Sequence, residues 1–211
     1  VTALVQSQGG VSQSENRHQI YGASDWTASL DALQALCPNL KNVSLIVSWF
    51  ATDFSAGDCR IIPAVETRLK PISGQAWSVA GRNRDNAHLM SQIDGKPAYG
   101  GTPPDDVVLG AIADLKARGW NVTFYPFVMM DVPGHYGWRG DIAPVAPEGT
   151  TDCDAQIAAF FGEDGSAERY RDFILHYAGL CARIGVDAFL LGSELRGVTR
   201  ALGANGYAGP R

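Results

Sequence analysis

The chain is 211 residues long, 45% hydrophobic and 18% charged, with a formal net charge of −5. Length and apolar content suit one substantial buried core, hence one domain or most of one. The acidic balance and the lack of any Lys/Arg run argue against a nucleic-acid-binding surface, and no apolar stretch approaches the roughly 18 residues of a membrane span.

Residues 1–24 form a polar, Gly/Ser-rich entry segment with one short strand expected at Thr2–Gln6; residues 25–211 are expected to form a single domain. No basic n-region or long apolar h-region opens the chain, which starts at Val1 without Met and stops at Arg211. It reads as a piece of a longer chain. A helix is predicted over 28–36, with Thr27 as N-cap, a stripe of Leu30, Leu33 and Leu36, and Pro38 as its stop. Val43–Phe50 then reads as a buried strand that delivers Trp49 and, just beyond, Asp53, which suits a loop cap. From 53 to 104 the pattern breaks into short extended pieces joined by turns, an excursion long enough to carry function or mobility.

Thr102-Pro-Pro-Asp105 reads as a helix start, with Thr102 as N-cap and Pro103 at the first helical position. Val108, Ile112 and Leu115 line one face of that helix, and Gly119 closes it. Val122–Met130 is another apolar strand, ending at Asp131; Pro126 within it is awkward for a central strand, though a barrel strand with a local bulge could hold it. A second excursion, 132–153, holds His135, Trp138 and Arg139, and no second His stands at metal-ligand spacing from His135. A short helix is predicted over 154–161 and a longer one over 166–184, capped by Ser166 and ended by Gly185. Val186–Leu191, a nearly uninterrupted apolar run, reads as a strand buried on both faces, and Glu194 follows it between Ser193 and Arg196.

Helix, tight turn, apolar strand and a polar or aromatic strand end recur three times. That alternation means an α/β fold. Long loops after the strands and short ones after the helices favour a (β/α)8 barrel, whose βα loops build the active face. A doubly wound sheet is the alternative, but no glycine-rich phosphate loop follows any strand. Glu194, at the carboxyl end of a parallel strand, is the best clue to chemistry, against the plainer possibility of an ion pair with Arg196 or Arg139. Of the four cysteines, Cys37 and Cys181 fall near helix ends and read as buried free thiols. Cys59 and Cys153 both stand in polar loop sequence and are candidates for a disulfide, which would imply an oxidising setting. No cofactor or metal pattern is present.

Six blocks carry a family resemblance: Val-Ser-Leu-Ile-Val-Ser-Trp-Phe (43–50), Tyr-Gly-Gly-Thr-Pro (99–103), Phe-Tyr-Pro-Phe-Val-Met-Met-Asp (124–131), Trp-Arg-Gly (138–140), Ala-Ala-Phe-Phe-Gly (158–162), and Val-Asp-Ala-Phe-Leu-Leu-Gly-Ser-Glu-Leu-Arg-Gly (186–197). Together they resemble the glycoside-hydrolase-like TIM-barrel domain of gene transfer agent and phage tail host-specificity (baseplate hub) proteins. The resemblance implies a TIM barrel present to about its fourth strand, 43–50 being the second, 122–130 the third and 186–191 the fourth. A full barrel needs about 250 residues.

It further implies a place in the tail tip of a phage-like particle, acting at the host cell envelope. The implied partners are other tail and baseplate proteins and a host envelope polysaccharide such as peptidoglycan. Glu194 then stands where many retaining glycosidases keep their acid/base, although Ser193 replaces the Asn common before that glutamate. The partner carboxylate in those enzymes comes from strand seven, outside this chain. Glycoside hydrolysis requires two carboxyl groups, one of which protonates the leaving oxygen. Asp131 would bind a sugar hydroxyl, serve as the second carboxylate, or merely cap the following turn. Trp49 and Trp138 are candidate stacking platforms for sugar rings or lids of the core, and Arg139 completes the candidate substrate face. A non-catalytic structural or carbohydrate-binding barrel of the baseplate is the alternative function, because fold alone does not establish activity.

Overall fold

The computed structural model describes residues 4–6, 10–74, 76–163 and 166–207. β1 (Leu4–Gln6) pairs with β2 (Ser12–Ser14) as a hairpin; residues 2 and 3 of the expected first strand lie outside the described residues. α1 (Asp25–Leu36) starts earlier than expected, because the Ser24 hydroxyl, not that of Thr27, caps it by accepting the Thr27 N–H at 3.1 Å. β3 (Asn42–Ala51) follows, with β4 (Ile61–Ile62) running antiparallel against its last residues. The first excursion forms β5 (Ala64–Val65) parallel to β6 (His88–Leu89), then a hairpin of β7 (Gln92–Ile93) and β8 (Lys96–Pro97). Next come α2 (Asp105–Ala117), β9 (Asn121–Met130), a 3-10 turn at Arg139–Asp141, α3 (Thr151–Phe161) and α4 (Tyr170–Ile184). β10 (Ala188–Phe189), the short α5 (Arg196–Arg200) and the hairpin of β11 (Leu202–Gly203) and β12 (Gly206–Tyr207) complete the described chain.

The central sheet has the order β10-β9-β3-β4. β3 and β9 run parallel and in register from Asn42 opposite Asn121 to Ala51 opposite Met130. β10 is parallel to β9, with Phe189 opposite Phe124. The three parallel strands therefore lie side by side in chain order, separated by helices, which is how a (β/α) barrel is laid down. The protein has a mixed α/β fold with a curled half-barrel sheet. Beside β3, the position of a preceding parallel strand is occupied near the C-terminal end by antiparallel β4.

Side-chain alternation decides which face is packed. Val47, Trp49 and Ala51 of β3, with Val122, Phe124, Val128 and Met130 of β9, are buried in one cluster with Val108, Ile112 and Leu115 of α2 and Phe173, Tyr177 and Leu180 of α4. Tyr177 is the centre of this outer layer: its ring lies 5.0 Å from Phe124, 5.7 Å from Phe173 and 5.9 Å from Trp49. Its hydroxyl accepts the Trp49 indole N–H at 2.9 Å, and burial pushes its phenol well above the ordinary tyrosine range. The inner face carries Ser44, Ile46 and Ser48 of β3 and Thr123, Tyr125 and Phe127 of β9, none fully buried. A smaller cluster of Phe50, Ala64 and Met90 joins the excursion to that inner face near the strand ends.

Four expectations are corrected by tertiary contacts. The β3–β9 register is unbroken, so Pro126 sits in no bulge. The carbonyls of Val122 and Phe124 accept N–H groups from Asp187 and Leu190 on the β10 side. Pro126 continues that parity beyond the two residues of β10, so its missing N–H costs no ladder bond. Thr102 does not cap α2, which has Pro104 at its N-cap. The buried Thr102 hydroxyl instead donates to the Ser48 carbonyl at 2.9 Å and accepts the Ala64 N–H at 3.1 Å, pinning the excursion to β3. Ser166 does not cap α4 either; Arg169 stands at its N-cap, and the Asp172 carboxylate accepts the Arg169 backbone N–H at 3.0 Å. Lastly, the 186–191 run is not buried on both faces: β10 is an edge strand, and Leu191 is 73% exposed.

Tyr177→Phe removes the acceptor for a buried indole N–H and leaves the ring in place. Urea denaturation should show a loss of about 1–3 kcal/mol with an unchanged m-value.

Candidate active site

Beyond β10 the chain turns sharply through Gly192, Ser193 and Glu194 into α5. Two close approaches shape the turn. A Cβ on Gly192 would collide with the Tyr170 hydroxyl, and one on Gly197 with the Ile142 carbonyl oxygen. Tyr170, whose phenol burial pushes up to about 12, stays protonated and donates to the Leu191 carbonyl at 2.6 Å. Held from both sides, Glu194 takes a left-handed backbone with φ of +57°. That conformation costs a non-glycine residue about 1 kcal/mol and persists only where the surroundings impose it.

Arg139, from the 3-10 turn after β9, imposes it. Its side chain is 7% exposed, and the guanidinium lies 3.7 Å from the Phe127 ring centroid, a cation–π stack on the inner face. Nε donates to the Ser193 carbonyl at 3.1 Å, and Nη2 reaches the Ser193 hydroxyl at 3.1 Å and Glu194 Oε2 at 2.8 Å. The Tyr125 hydroxyl bonds the Ser193 hydroxyl. The Trp138 indole N–H donates to the same Oε2 at 2.7 Å. Its ring folds over Gly140, where a Cβ would lie 2.5 Å from the indole, and the Arg196 guanidinium lies 5.7 Å from its centroid. Glu194 itself stays 53% exposed, and Oε1 has no hydrogen-bond partner among the described residues. One carboxylate oxygen is thus oriented and the other is open, an arrangement able to exchange a proton with, or hydrogen-bond, a bound hydroxyl or ether oxygen.

The expected residues divide clearly. Glu194, Trp138 and Arg139 come together; Trp49 and Asp131 do not join them. Trp49 is only 3% exposed, buried against Phe173 and Tyr177 on the helix side of β3, so it cannot serve as a sugar platform. Asp131 is 2% exposed and caps no following turn. Its carboxylate accepts the Ser91 N–H at 3.1 Å, meets His88 Nε2 at 2.6 Å and takes the Ser91 hydroxyl. Asp53 does cap its loop, accepting the Ser55 N–H at 2.8 Å. His135 is exposed, its ring 4.6 Å from that of Phe54. Sequence reasoning missed Tyr125 and Phe127, although their odd-position alternation in β9 marks them as inner-face residues. It also missed His88 and Ser91, which carry no local signal.

The cysteines are all free. Cys59 packs in the main core, whereas Cys153 of α3 packs with Ile157 and Ala201, so the candidate Cys59–Cys153 disulfide is absent from the structure. Cys37 is exposed, contrary to its expected burial. Among the described residues no group of three or more His, Cys, Asp or Glu side chains is gathered as a metal site, and no helix is long and apolar enough to cross a membrane. An open groove of about 880 Å³ runs between α3, α4 and the 191–199 segment. Phe161, Ile174, Leu175 and Leu191 make it chiefly apolar, and Glu194 stands on it.

Residues 168–208 match the family model described as the GTA (gene transfer agent) TIM-barrel-like domain. The matched segment runs from the lead-in to α4 through β12 and includes Tyr170, Ser193 and Glu194. A solved structure described as a complex structure of GH113 beta-1,4-mannanase is similar at 14% identity, with a TM-score of 0.46, over 83% of this chain. The chain spans 41% of that structure's length. No curated protein matches the chain.

Burial pushes the Cys59 and Cys181 thiols up to about 11 and raises that of Cys153, which disfavours the reactive thiolate in each. In native protein at pH 8, a thiol reagent such as DTNB should therefore titrate Cys37 alone within minutes, and all four cysteines after denaturation without reductant. A Cys59–Cys153 bond would leave only two titratable thiols under denaturing conditions.

Proposed function

We propose that this is a glycoside-hydrolase-like domain of a gene transfer agent tail-tip hub that engages cell-envelope glycan, peptidoglycan first, with Glu194 as general acid/base. The observation that carries the reading is the presentation of Glu194. It stands beyond the carboxyl end of a parallel strand in a strained turn, Oε2 anchored by Arg139 and Trp138 and Oε1 open. A turn held against its backbone preference suits a group whose position matters to chemistry. In the proposed reaction the open oxygen of protonated Glu194 delivers its proton to the glycosidic oxygen as the C–O bond breaks. The carboxylate so formed then accepts a proton from the incoming water. Asp131, closed off by His88 and Ser91, is not the second carboxyl group; that role falls to a residue outside the described chain. Other tail and baseplate proteins are the proposed partners, and the outside of a phage-like particle the proposed location.

A second reading, a carbohydrate-binding module without hydrolysis, is favoured by one observation. The Arg139–Glu194 pair at 2.8 Å is also a structural tie for the turn.

The test is cleavage of purified peptidoglycan and host surface polysaccharide by the full-length protein beside its Glu194→Gln variant, with binding followed by pull-down. Gln keeps the shape and the Trp138 acceptor but cannot transfer the proton. Cleavage should fall by about 10²–10⁴-fold while binding survives. Equal cleavage by both proteins would remove Glu194 from the mechanism. Binding without cleavage in either would establish the binding module instead.

A further inference from the structure

A second polar centre stands at the same end of the sheet as Glu194. Asp131 follows the last residue of β9, and its carboxylate is enclosed by Ser91 and His88, with the Tyr136 hydroxyl 2.9 Å from the Ser91 hydroxyl. The ring of Tyr99 lies edge-on to that of Tyr136, centroids 6.0 Å apart. The two centres share one loop. Tyr136 belongs to the Asp131 centre and Trp138 to the Glu194 centre, and residues two apart in a chain have Cα atoms no more than about 7 Å apart.

Within the His88–Asp131 pair the imidazole is the more accessible partner. Asp131 keeps 1% of its side-chain surface, whereas His88 keeps 22%. An ionised carboxylate offers only lone pairs, so the ring nitrogen facing it carries the hydrogen. Asp131 thereby selects the Nε2–H tautomer of His88 and leaves the Nδ1 lone pair as an acceptor. Among the described residues nothing donates to Nδ1. The arrangement therefore consists of a buried carboxylate, an imidazole held in one tautomer, and an acceptor unpaired among the described residues, at the sheet end from which the Glu194 turn also leaves. A loop tether alone would not require it, because the two Ser91 donors already tie the excursion to Asp131.

We propose that His88 is a ligand-binding residue whose Nδ1 accepts a hydrogen bond from a hydroxyl of the glycan that meets Glu194. Asp131 acts as the positioning residue behind it. The inference rests on the glycan reading above and adds a contact remote in sequence from Glu194. Neutral imidazole is the binding form, since protonation of Nδ1 would turn the acceptor into a donor.

The experiment is ¹⁵N NMR of the histidine rings in the full chain, with the His88 signals assigned by their loss in His88→Gln. Before any ligand is added, the neutral His88 ring, recorded above the midpoint of its own titration in the same spectra, should carry its hydrogen on Nε2 and leave Nδ1 unprotonated. A protonated Nδ1 there would overturn the proposal whatever the enzyme does. Soluble peptidoglycan fragments are then titrated into wild type and Glu194→Gln. A saturable shift of the His88 Nδ1 signal in both is the expected result, with affinity falling on the order of tenfold in His88→Gln. Shifts at the Trp138 indole without any at His88 would overturn this inference and leave the glycan reading standing. Shifts at neither would overturn both.

Discussion

Everything functional in this protein depends on the register of two strands. β3 and β9 run together over ten residues each and end side by side at Ala51 and Met130. Because they are parallel, their loops leave from one end, and β10 adds a third exit there. Asp131, the Trp138–Arg139 segment and Glu194 share a face for that reason. A slip of one residue would exchange the two faces of β9, sending Phe127 to the helices and Phe124 inward. Arg139 would then lose the ring on which its guanidinium rests, and the Ser193–Glu194 turn would lose its anchor.

The two faces of the sheet are put to different uses. The outer face is packed by aromatic rings around Tyr177, with the indole–phenol hydrogen bond at its centre and the His176–Asp105 contact joining α4 to α2 beside it. The inner face is lined by hydroxyls, rings and one guanidinium, and its polar groups are paired where they approach the strand ends. Rigidity is thus supplied from outside and chemistry presented inside, the division expected of a site built on rigid elements rather than on loops alone.

The parallel-strand scaffold was legible because its periodicities are local. Strands at 43–50 and 122–130 and the three helices around them appear within a few residues of their observed places. Two expected caps are taken up by tertiary partners or displaced: Thr102 bonds β3 and β5 rather than α2, and Arg169, tied to the Gly57 and Cys59 carbonyls, takes the N-cap of α4 in place of Ser166. By contrast, α1 and α3 start earlier at the local caps Ser24 and Thr150. Glu194 was legible because a strand end can be read from an apolar run. Parity decides between the two readings of Trp49 in favour of the core: it alternates with Val47 and Ala51, opposite the Ser44–Ser48 face. The His88–Asp131 pair, 43 residues apart, has no local signature at all. Only the fold brings the excursion back to the end of β9.

The left-handed backbone at Glu194 sets stability against chemistry at a single codon. Glycine adopts that conformation without the Cβ penalty, and asparagine tolerates it better than most residues. Replacing Glu194 by either would relax the backbone but leave the Arg139 side chain, 7% exposed, without its carboxylate, so folding ties positions 139 and 194 to each other. A lineage that retained the barrel only as a spacer would be expected to exchange both together, with glycine or asparagine at 194 and an uncharged residue at 139. One that still uses the carboxylate keeps the pair and bears the strain. Surveying these two positions across related sequences would therefore sort working domains from retired ones before any substrate is known.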